Sequence, residues 1–101
     1  MAVVKDANRS EIHVGDRVRV LRGFDGQNLP GKCGTVVQVK GVNWTTDARW
    51  DIGVVFDENM NGHDLDGVCT RGYGRWGFGG EVEVISSYLD EIKIEFNSLF
   101  N

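Results

Sequence analysis

A chain of 101 residues, 41% hydrophobic and 10% aromatic, is one domain with one small core, which excludes wholesale disorder. Its formal charge of −4 excludes the overall basic excess of a dedicated nucleic-acid binder. The charge is split unevenly: residues 1–50 hold eight Lys/Arg against five Asp/Glu, and residues 51–101 hold three against ten.

Runs such as "IGVVF" are too short to cross a bilayer, and "MAVVKDANRS" has no apolar segment after its early charges. A cytoplasmic protein without membrane association is the expectation. Without a secretion signal, Cys33 and Cys69 are expected as reduced thiols, although spacing alone leaves a bridge open.

Residues 1–14 are polar with scattered apolar positions and read as an arm packed loosely over the domain. In "VGDRVRVLRG", Val18 and Val20 interleave with Arg17, Arg19 and Arg22, the period-two signature of a half-buried strand. "GFDGQNLPGKCG" holds four glycines and the only proline, and reads as a loop. Valine-rich "TVVQVK" (35–40) is the second strand. "GVNWTTDARW" is a loop, and "DIGVVFD" (51–57) a third strand with Ile52, Val54 and Phe56 on one face. A long connection, "ENMNGHDLDGVCTRGYG", leads to two short strands, "RWGF" (75–78) and "EVEVI" (81–85), joined by a glycine pair. In the tail, Tyr88, Leu89 and Ile92 fit a helical face, whereas Ile92, Ile94 and Phe96 alternate as a strand. The favoured reading is a turn over 86–90 and then a strand over 92–96.

Five short strands with glycine-rich connections predict an all-β domain, a small barrel over 15–85 flanked by an arm (1–14) and a packed extension (86–101). The stretch 15–41 resembles the start of a KOW-type, SH3-like barrel. Its marks are the Gly15-Asp16 turn, alternating Val18 and Val20, a loop with Gly23, Gly26 and Gly31, and Gly34-Thr35-Val36 opening the second strand. The resemblance implies that Val18, Val20, Val36, Val37 and Val39 fill the interior, and that Gly34 sits where a side chain would clash or φ is positive. The second half, "IGVVFDENMNGHDLDGVCTRGYGRWGF", is similar to small uncharacterised proteins of bacteria and phages, from whose pattern it departs at Tyr73 and Arg75.

Within that half, His63, Asp64, Asp66 and Cys69 crowd seven positions, yet neither cysteine has the paired spacing of a zinc site. Asp57, Asn59, Asn61 and Gly62 open like a calcium loop, but Val68 stands where the bidentate glutamate should fall. Catalysis would need Cys69 activated by His63 and oriented by Asp64 or Asp66, and nothing in the spacing brings those groups within reach. No metal, cofactor or enzymatic activity is therefore expected.

A binding role remains. Trp44, Arg71, Tyr73, Arg75 and Trp76 are the residue types that dominate protein interfaces, and most lie on one glycine-rich loop. The expectation is a non-enzymatic protein-binding module. The phage resemblance implies an accessory role, such as inhibition of a host defence enzyme. A KOW-like RNA- or DNA-associated factor using Arg17, Arg19, Arg22 and Lys32 is the alternative. A protein sequestering a small phosphate-bearing ligand with Arg71 and Arg75 is the third. A C-terminal strand could also pair two copies into a homodimer.

Overall fold

In a computed structural model, residues 3–24, 26–27, 29–43 and 50–87 are described. Five strands follow the sequence pattern: β1 (Arg17–Val20), β2 (Cys33–Val39), β3 (Ile52–Phe56), β4 (Gly74–Gly77) and β5 (Val82–Ser86). They form one antiparallel sheet in the order β4-β3-β2-β1-β5, so a four-strand meander is closed by β5 returning onto β1. The glycine pair between the last two strands is a single 3-10 turn, Gly79–Glu81, in which Phe78 N–H donates to the Glu81 carboxylate at 3.1 Å. No α-helix occurs among the described residues, and no described helix is long and apolar enough to cross a membrane. The predicted tail strand over 92–96, and any pairing through it, lies outside the described residues.

Alternation decides the inner face. Val18 and Val20 of β1 are fully buried, as are Ile52 and Val54 of β3, with Phe56 close behind. In β2 the register shifts between Val36 and Gln38, and the extra residue sends Val36 and Val39 inward, three positions apart. Val37, expected in the interior, is therefore only half-buried. Phe24, from the loop after β1, fills the centre edge-on to Phe56, with ring centroids 5.8 Å apart. Gly34 fits its expectation through space: a Cβ there would lie 2.6 Å from the Val55 carbonyl and 2.7 Å from Val54 Cγ1.

The N-terminal arm is the main correction. It is no loose cover, because Val4 and Ile12 belong to the core and Asp6 is 5% exposed. One oxygen of Asp6 accepts the N–H groups of Asn8 (2.9 Å) and Ser10 (2.8 Å), closing the arm into a turn. The other oxygen accepts Val84 N–H at 2.8 Å, and Ala7 N–H donates to the Val82 carbonyl at 2.9 Å. These bonds cover the outer edge of β5, which would otherwise be left open for pairing.

Candidate functional site

The loop between β3 and β4 is built like an irregular hairpin. Phe56 N–H donates to the Tyr73 carbonyl at 2.8 Å, and the N–H groups of Met60 and Gly62 both reach the Gly72 carbonyl. His63 and Gly74 exchange two backbone bonds of 2.9 Å. Asn59 then caps the inner turn by accepting Asn61 N–H at 2.9 Å. At the tip, the Asp64 carbonyl takes Val68 N–H and Cys69 N–H while Leu65, Asp66 and Gly67 all have positive φ. Leu65 is held in that unfavourable region by complete burial: it and Cys69 pack directly over Gly74, where a Cβ would overlap them. Gly74 is the register partner of outward-facing Val55, so the loop folds over the outer face of β3 and β4.

The groups a catalytic reading would need together are each engaged with other partners. Cys69 Sγ turns to the His63 carbonyl at 3.8 Å, and burial, reinforced by the charge of Asp64, pushes its thiol above the usual range. The His63 imidazole is occupied elsewhere. Its Nδ1 accepts Leu65 N–H at 3.1 Å, and its ring lies on Trp76 with centroids 4.5 Å apart. Among the described residues no three His, Cys, Asp or Glu side chains converge as metal ligands. Asp57, first in the calcium-like run, instead holds Arg17.

The expected interface residues fall into distinct environments. Trp44 lies outside the described residues. Trp76 is half-buried, its indole N–H donating to Gln38 Oε1 at 2.7 Å across the open floor left by Gly53. Arg75 was expected at the surface and is buried, because its register partner is the core residue Val54. Its Nη2 donates to the Met60 carbonyl at 2.6 Å, pinning the loop from beneath. Tyr73 is half-buried, while Arg71 and Val68 are exposed at the loop surface. Val68 has no signature in the sequence, since one valine among glycines and acids carries no periodic signal.

Three of the four cations of the basic strip are matched to carboxylates from the second half of the chain. Arg17 makes a bidentate pair with Asp57 at 2.7 and 2.6 Å, and also donates to Thr35 Oγ1. The Arg17 guanidinium holds the Asp57 carboxyl below its ordinary range. Arg19 is held by Glu83, Lys32 by Glu58 at 2.8 Å, and Arg22 by the Gly80 carbonyl at 3.1 Å. Asp57, Glu58 and Glu83 could not be assigned as these partners from sequence, since only the uneven charge of the two halves hinted at them.

A polar cleft of about 330 Å³ lies between the arm and the end of β5. Glu11, His13 and Asp16 line it together with Ser10, Ser86 and Ser87. Neither Arg71 nor Arg75 lines that cleft, and its carboxylates would repel a phosphate. Compared with protein-family models, curated proteins and solved structures, the chain matches none of them.

Proposed function

We propose that this chain is a protein-binding module acting through the tip of the β3–β4 loop, with Val68, Arg71 and Tyr73 in contact with the partner. The observation that carries the reading is the contrast within the loop. Its backbone is tied down at both ends, whereas Val68 is 52% exposed and Arg71 is exposed too. Of the cations singled out in the sequence, Arg71 alone has no hydrogen-bond or ion-pair partner among the described residues. A rigid loop offering an apolar side chain and an unpaired guanidinium loses little entropy on binding. Trp76 and Arg75 serve as supports beneath that surface.

The strand order, with a single 3-10 turn before a fifth strand that returns to the first, supports an SH3-like barrel as the scaffold. The phage-type resemblance of 52–78 favours an accessory role, the binding and inhibition of a host enzyme. Pairing of the basic strip with Asp57, Glu58 and Glu83 counts against the KOW-like nucleic-acid reading.

The test is capture of a partner from nuclease-treated host extract, followed by reconstitution of a defined complex with the purified partner. Arg71→Glu and Val68→Ser are expected to abolish that complex at unchanged melting temperature. A complex indifferent to both substitutions, or capture that vanishes with nuclease, overturns the reading.

A further inference from the structure

The outer face of β5, β1 and β2 carries a charge row that the barrel interior does not require. Register places Glu83 opposite Arg19, and Arg19 opposite Cys33, whose carbonyl accepts Asp57 N–H. Arg17, two positions from Arg19 on the same face, reaches diagonally across Thr35 to Asp57. Two arginines are thus bracketed by two carboxylates from elements 40 and 64 residues away in sequence. All four side chains remain solvent-accessible, between 22% and 54%. Ion pairs this exposed contribute little to stability, so holding the fold together is a weak explanation for the row.

We propose that Asp57 and Glu83 act as built-in counterions that keep the Arg17/Arg19 row from binding phosphate polyanions. Two guanidiniums on alternate positions of one strand, and so on one face, form a phosphate-binding pair when left uncovered. A nucleic acid reaching them must first displace Asp57, seated with both oxygens on Arg17, and Glu83, one oxygen of which takes both Nε and Nη2 of Arg19. The acids therefore set specificity by suppressing a competing ligand, whatever occupies the β3–β4 loop. This role does not depend on the loop reading and can fail separately from it.

The experiment measures affinity for a single-stranded oligonucleotide of about 20 nucleotides, longer than a typical single-domain site. The proteins are the full chain, the double variant Asp57→Asn/Glu83→Gln, and the control double Glu11→Gln/Asp66→Asn. Both doubles move the formal charge from −4 to −2, so general repulsion falls equally. At about 50 mM salt the first double is expected to bind about tenfold more tightly than the control. The dependence of log K on log salt should steepen by about 1.4, the value for two newly available cations on a single strand. Adding Arg17→Gln and Arg19→Gln should return affinity to the control level. Equal gains in the two doubles, no gain in either, or a gain that survives loss of the arginines overturns the proposal. Should the first double melt below the assay temperature, Glu83→Gln alone against Glu11→Gln alone makes the same comparison.

Discussion

The carboxylate of Asp6 accepts the backbone N–H of Val84 at 2.8 Å, across a separation of 78 residues. One acidic side chain near the start of the chain thereby closes the edge of the last described strand while its second oxygen folds the arm. The arm is an integral part of the domain for this reason.

Removing that carboxylate leaves three backbone donors to find other partners in a site only 5% exposed. Asp6→Ala is expected to destabilise the protein by about 2–4 kcal/mol, the range for charge-assisted bonds lost from a buried site. Asp6→Asn should recover only part of this, since its amide nitrogen cannot accept. Urea unfolding curves of the three proteins provide the comparison.

Arg75 and Arg71 should separate cleanly in the same assay. Arg75 is buried and bonds the Met60 carbonyl, so Arg75→Ala both empties a packed site and unpins the loop. A loss of about 2–3 kcal/mol is expected. Arg71 is exposed and makes no hydrogen bond or ion pair among the described residues, so Arg71→Ala should stay within about 0.5 kcal/mol of wild type. A large cost for Arg71→Ala would mean that the loop surface is not free as described.

Gly34 tests the packing of β2 on β3. Its missing Cβ is the space taken by the Val55 carbonyl and Val54 Cγ1, and a backbone atom cannot rotate aside. Gly34→Ala is therefore expected to cost about 1–3 kcal/mol. The same substitution at Gly80, where nothing lies within 4 Å and φ is not positive, is the control and should be close to neutral.

Two pH effects run in opposite directions. Asp57 is depressed in the fold by Arg17, so its contribution is present above the unfolded value near 3.9 and is lost as pH falls through the lower folded value. The pair is exposed, so the effect is about 1 kcal/mol or less, and Asp57→Asn should flatten the acid limb of a melting-temperature profile. Cys69 is raised by burial and by Asp64, so its contribution is present below the unfolded thiol value near 8.5 and is lost as pH rises through the folded one. In a Cys33→Ser background, Cys69 should react with a thiol reagent more slowly than a free peptide cysteine at pH 8, and Asp64→Asn should speed it.

The strands were legible in the sequence because a β-strand records burial locally. Val18/Val20 and Ile52/Val54/Phe56 alternate because successive side chains point to opposite faces, and the glycine-rich stretches between them interrupt that period. Fold class and five strand positions follow from this rule. Val37 escaped it because a register shift depends on the partner strand as well as on β2 itself. Arg75 escaped it for a related reason: in "GRWGF" the inward position is set by pairing with Val54, and the only side chain there is charged. The seat of Asp6 on Val84, the matching of Arg17 and Arg19 to Asp57 and Glu83, and the contact of Cys69 Sγ with the His63 carbonyl have no local signature. Each joins groups through the closure of the sheet, and only the tertiary structure decides which charges meet, which polar groups are buried, and which residues of the loop are left facing solvent.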